Sequence, residues 1–161
     1  MINMDKNQAM VNFLQTCPII QDNPMYFNFG TVVDGAHQFT SRSDDVAASR
    51  PYVDGSIQKR FTFYLDNFKS VSYNPIVATT TDENLEEFGE IQSILDWVNA
   101  QDDLQNYPDF GEHAIIDKMS TTKWTPEMIG VDTTKDSPIA VYRIAIRIDY
   151  LDTSKRLWSN N

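Results

Sequence analysis

The sequence predicts an α+β fold: one domain whose antiparallel or mixed sheet of about four to five strands carries helices on one face. Three observations carry that expectation. A chain of 161 residues has the length of one domain with its own hydrophobic core. Two segments, Ile57 to Asp66 and Ile139 to Leu151, alternate apolar and polar residues with the period of a strand. Between them, Leu85, Phe88, Ile91, Ile94, Leu95 and Val98 fall on one half of a helical wheel. Strands with one polar face and helices with one apolar face bury their apolar sides against each other in two layers.

The elements follow in order. Asn3 to Gln15 places Met10, Val11, Phe13 and Leu14 at mostly helical spacing, with Asn3 or Asp5 as N-cap, and Cys17-Pro18 ends the helix. Met25 to Val33 alternates as a first strand, with Met25, Phe27, Phe29 and Val33 on one side. From 34 to 56 the pattern dissolves into Ser, Asp, Ala and Arg, a long connection expected to serve in assembly, whose start near Gln38 and Phe39 extends a hairpin with the first strand. Ile57 to Asp66 is the clearest strand, and a shorter one is expected around Ser70 to Tyr73, stopped by Asn74-Pro75. Thr80 with Glu83, or Asp82, caps a helix running through Ala100. His113 to Met119 reads as a strand, and Ser120 to Pro138 as a second long connection. The last strand turns Tyr142, Ile144, Ile146, Ile148 and Tyr150 to one face and Arg143, Arg147 and Asp149 to the other. Residues 152–161 form a C-terminal tail.

Composition narrows the function. Lys plus Arg is 13 and Asp plus Glu is 23, a net charge of −10, the opposite of what non-specific nucleic-acid or anionic-membrane binding needs. The single cysteine, Cys17, offers no disulfide framework and no thiolate zinc site, and suits synthesis in a reducing cytosol. No signal sequence and no membrane span is expected, since no stretch approaches roughly 18 apolar residues.

Residues able to do chemistry are sparse. His37 and His113 have no second ligand at metal spacing and are expected to be a solvated and a strand-edge histidine; Cys17 follows a helix and is expected in the core. The glycines build no phosphate loop, and the paired carboxylates read as solvated surface. No catalytic residue, cofactor or metal is expected.

Apolar and basic residues in unexpected places point instead to contact surfaces. Counting from Leu85, Trp97 projects at about 120°, between Glu86 and Glu90, so it is covered either by the N-terminal helix or C-terminal segment or by another chain. The basic tail with Lys155, Arg156 and Trp158 either folds back or docks on an acidic surface such as Glu86 and Glu90. Arg42, Arg50 and Tyr52 in the first long connection, Trp124 in the second, and Arg143 and Arg147 on the polar face of the last strand complete the interface candidates.

Nearly the whole chain resembles a family of small phage structural proteins, the minor capsid or tail-terminator proteins of long-tailed phages and prophages. The likeness rests on Tyr26-Phe27-Asn28-Phe29, Tyr52-Val53-Asp54-Gly55-Ser56, Lys59-Arg60-Phe61-Thr62-Phe63, Lys69-Ser70-Val71-Ser72-Tyr73-Asn74 and Asp82-Glu83-Asn84-Leu85. It continues through Asn106-Tyr107-Pro108-Asp109-Phe110-Gly111, Gly130-Val131-Asp132-Thr133 and Tyr150-Leu151-Asp152-Thr153-Ser154-Lys155-Arg156-Leu157-Trp158. The resemblance implies a non-enzymatic virion protein, made in the host cytoplasm and forming a homo-oligomeric ring, expected as a hexamer. That ring caps the tail tube, with the sheath alongside if the tail is contractile, and joins it to the head connector or stopper. DNA passes such a ring without specific binding, and acidic side chains lining its hole would repel the phosphates. A neighbouring head–tail connector component, or a small enzyme or regulatory binding module, are the alternatives.

Overall fold

The computed structural model describes residues 5–28, 33–47, 51–71, 83–134 and 137–157. Two helices and six strands form the α+β fold: α1 (Lys6–Leu14), β1 (Met25–Phe27), β2 (His37–Val46), β3 (Ile57–Ser70), α2 (Glu83–Asp103), β4 (Ala114–Thr121), β5 (Glu127–Asp132) and β6 (Ile139–Asp152). The mixed sheet runs β1-β2-β3-β6-β4, and β5 also pairs with β6. β1 pairs parallel to β2, and every other pair is antiparallel.

β3 and β6 are paired over 14 residues, Ile57 opposite Asp152 through Ser70 opposite Ile139. Their inward alternate residues, Phe61, Phe63 and Leu65 on β3 and Tyr142 to Tyr150 on β6, are buried. Against them lie Met10, Phe13 and Leu14 of α1 and Ile91, Ile94, Leu95 and Val98 of α2, so both helices cover the same face. Aromatic contacts thread this layer, Phe61 to Phe110 at 5.5 Å and Phe110 to Tyr150 at 5.6 Å. Asp5 caps α1 by accepting from the Asn7 amide at 3.1 Å. Cys17 is buried in this core, and burial pushes its thiol pKa up.

Several expectations change. The connection 34–56 contains β2, and the connection from Ser120 to Pro138 contains β5. β5 and the part of β2 beyond Phe39 expose residues on both faces, so the alternation of a half-buried strand is absent from them. β1 ends at Phe27 and meets β2 in parallel rather than as a hairpin. The short strand expected from Ser70 is the end of β3, which runs unbroken from Ile57; Ser72 and Tyr73 lie outside the described residues, as do Thr80 and Asp82, the expected caps of α2. β4 and β5 lie end to end along β6, one opposite Ile146 to Asp152 and the other opposite Ile139 to Arg143. They form one outer edge interrupted by the excursion Thr122 to Pro126.

The C-terminal segment folds back on its own chain. Leu157 N donates to Asp54 O at 2.6 Å, and the Arg156 guanidinium pairs with the Asp54 carboxylate at 2.9 Å. Gly55 makes this docking possible: its φ is +89°, and a Cβ there would strike the backbone carbonyl of Lys155. Gly55→Ala is therefore expected to destabilise the fold by about 2 kcal/mol or more, combining left-handed strain with the displaced tail. Urea unfolding checks this, and an unchanged midpoint would show that the turn yields freely.

Candidate functional site

The groups that titrate inside the molecule already have partners. His37, the first residue of β2, is buried rather than solvated as expected. Its Nδ1 lies 2.7 Å from Asn67 Oδ1 and its Nε2 3.2 Å from Asn23 Nδ2. Asn67 also donates to Tyr142 O, and Asn23 to Ile19 O, which orients both amides. The imidazole is thereby fixed neutral, donating from Nδ1 and accepting at Nε2, and burial pushes its pKa below 6.5. On the same face of β3, Lys69 is 5% exposed and held by Glu90 at 2.9 Å and Glu87 at 3.1 Å. Burial works against its charge, and the two carboxylates more than offset it, so its pKa rises.

Two surface cavities hold further titratable groups. One of about 200 Å³ lies among Lys6, Phe110, His113, Tyr150 and Asp152. Here the Tyr150 hydroxyl donates to Asp44 at 2.7 Å, and burial together with that carboxylate raises its pKa. Asp152 is held down to about 2: burial raises its pKa, but hydrogen bonds from Ser154 and the Lys59 ammonium prevail. His113 is exposed beside Glu112 at 3.4 Å. The other cavity, about 310 Å³, opens at the gap between β4 and β5, over Leu95, Ile144 and Ala145, with Arg143 and Glu127 on its wall. In the first cavity the Ser154 hydroxyl is engaged by the Asp152 carboxylate, and among the described residues no three His, Cys, Asp or Glu converge on a metal position.

The side of the sheet opposite the helices is organised in rows across the strands. One row reads Asp45, Arg60, Asp149, Lys118, with Arg60 bound to Asp149 at 2.8 Å. Another reads Gln38, Asp66, Arg143, Glu127, with Arg143 bidentate on Asp66 at 2.8 and 3.0 Å and 4.2 Å over the Tyr64 ring. The row Ser43, Thr62, Arg147, Ser120 lies between them and has a cation without a carboxylate. Arg147 Nε is buried without a hydrogen-bond partner. Sequence alternation puts Arg143 and Arg147 on one face, but only the register reveals that, among the described residues, Arg143 has an ion pair and Arg147 has none.

The outer edge is apolar. Trp124, 78% exposed, stands on the excursion between β4 and β5, with Ile115, Met128, Ile129 and Val131 exposed along the same edge. The excursion is braced: Thr122 N donates to Ala145 O at 2.9 Å, Gln92 of α2 donates to Trp124 O at 3.0 Å, and Asn99 bonds Thr121. A second exposed apolar group, Tyr52, Val53 and Leu157, lies where the turn before β3 meets the C-terminal segment.

The remaining interface candidates scatter. Trp97 is half-buried against Phe13 of α1 at 5.3 Å, so the N-terminal helix covers it. Within the chain Glu90 is engaged by Lys69 and Arg156 by Asp54, and Glu86 is exposed. Lys155 is exposed, with its carbonyl against Gly55. Arg42 occupies the bulge that breaks the β2 register, where a charge blunts an open edge. Arg50 and Trp158 lie outside the described residues.

The buried imidazole gives stability a pH dependence. The native chain holds His37 neutral while the unfolded chain takes up a proton near 6.5, so this contribution is complete above 6.5 and is lost as pH falls through the lower native value. Urea unfolding from about pH 7.5 to about 4.5 is expected to show stability falling by up to about 1.4 kcal/mol per pH unit. His37→Gln should flatten that slope, and an unchanged slope would contradict the assignment. Asp152, held below 3.8, contributes its loss only at more acidic pH.

No protein-family model matches the chain, and no curated protein matches it in sequence.

Proposed function

We propose that this chain is a non-enzymatic virion structural protein, a tail terminator that forms a ring on the end of the tail tube and joins it to the head connector. The observation that supports this reading best is Trp124: a largely exposed tryptophan on a loop braced from both the sheet and α2, within an apolar outer edge. An aromatic side chain held in place before contact loses little freedom on binding, and such residues dominate interface energies. The separate group Tyr52, Val53 and Leu157 supports the same reading. Subunits in a ring meet through two different surfaces, and these are two of the apolar groups exposed among the described residues, besides Phe27, Val33, Val46, Leu85 and Leu104. The edge contacts use side chains, because bulges at Arg42 and near Asp117 interrupt the ladders that backbone pairing would extend.

The reading is tested by mixing the purified chain with short tail tubes from the same particle and following mass by light scattering and tube ends by negative-stain imaging. Rings, or subunits that cap one tube end and stop elongation, are expected. Trp124→Ala should lower capping at least about tenfold, while changing stability by no more than about 0.5 kcal/mol. A wild-type chain that neither forms rings nor caps tubes, or a Trp124→Ala chain that caps as well as wild type, would contradict the proposal.

A further inference from the structure

The open side of the sheet has the size and the charge pattern of a docking surface. Four strands at about 4.8 Å spacing and 14 residues at about 3.3 Å each give roughly 900 Å², one partner's share of a standard interface. At one end it is closed by a small apolar cluster of Phe68, Ile139 and Ala36. Across its middle runs a trough of short side chains, Ser43, Thr62 and Ser120, with Arg147 among them. The long cations of the flanking rows, Arg60 and Arg143, are spent on Asp149 and Asp66. Arg147 has no ion pair among the described residues, and its Nε has lost water without gaining an acceptor. The unpartnered Nε calls for an acceptor, and a carboxylate is the acceptor that an arginine fork takes best.

The chain itself supplies the matching surface. α2 carries seven carboxylates and no Lys or Arg, and Glu86 and Asp103 are exposed on it. The excursion that carries Trp124 is hydrogen-bonded to α2 through Gln92, so the helix side offers both negative charge and an aromatic anchor. We propose that the open sheet face of one copy receives α2 of a second copy, with a carboxylate of that helix completing Arg147 in the hydroxyl-lined trough. The contact joins two different surfaces, sheet face to helix face, so it propagates from copy to copy and closes where the rotation allows. This inference rests on the reading of the chain as a self-assembling subunit and specifies how the copies meet.

The test measures self-association of the chain alone by sedimentation velocity and light scattering, so it stands apart from tube capping. Wild type is expected to associate with increasing concentration and to weaken as salt rises. Arg147→Glu should raise the dissociation constant about tenfold or more, Arg147→Lys should retain part of the association, and Glu86→Lys with Asp103→Lys should weaken it similarly. Mixing the Arg147→Glu chain with the Glu86→Lys, Asp103→Lys chain should restore a complex that neither forms by itself. Thermal unfolding of each variant excludes loss of fold as the cause. A monomer at every concentration, or an Arg147→Glu chain that associates like wild type, would overturn the proposal. So would an effect of Arg147→Glu with none from the α2 changes, which would make the occupant of the trough something other than this helix.

Discussion

The pairing of β3 with β6 is the constraint on which the rest of the molecule depends. Fourteen consecutive residue pairs commit Phe61, Phe63 and Leu65 and the even-numbered residues of β6 to one side. A slip by one residue would turn that whole apolar set outward and bring the arginines in, so the register is held by the full cost of the core. Polar side chains fix it a second time. Asn67 ties β3 to β6 through Tyr142 O and to β2 through His37, while Arg60 with Asp149 and Arg143 with Asp66 bind the same two strands on the other side.

From that register comes the division of labour between the two faces. The covered face spends its polar groups on itself: His37 on two amides, Lys69 on two carboxylates, Tyr150 on Asp44. Groups held this way raise the cost of misfolding and are poor starting points for proton transfer, since each is already satisfied. On the open face the Arg147 Nε is buried without a hydrogen-bond partner among the described residues, and on the outer edge the Trp124 ring is largely exposed. That distribution favours contact with another protein over reaction with a small molecule, and it supports the assembly reading without reference to catalytic motifs.

Much of the framework was legible in the sequence, and the misses have physical causes. The long strands and α2 were readable because each has one buried face, which imposes a period on the residue types. β5 and the outer part of β2 were not, because a strand exposing both sides imposes none; Ser41 to Asp45 reads as a loop although its backbone is paired. His37 looked solvated because its environment comes from Asn23 and Asn67, the latter thirty residues away. The position of Trp97 on α2 identified an apolar side chain needing cover, but its cover is Phe13, and a wheel diagram cannot choose between two chains. Among the interface candidates, Trp124 and Arg147 acquire their meaning from context: one from a loop braced by Gln92, the other from a row that pairing across four strands brings together.

The central claim, that the unsatisfied face and edge are surfaces for assembly, is tested most directly by amide hydrogen exchange on the chain alone and on the chain bound to tail tubes. The account predicts that protection rises at Thr122 to Asp132 and along the solvent edge of α2, while the amides shared by β3 and β6 remain slow in both states. Protection appearing only around the cavity near His113, with the outer edge and α2 unchanged, would contradict it and move the functional surface to that cavity.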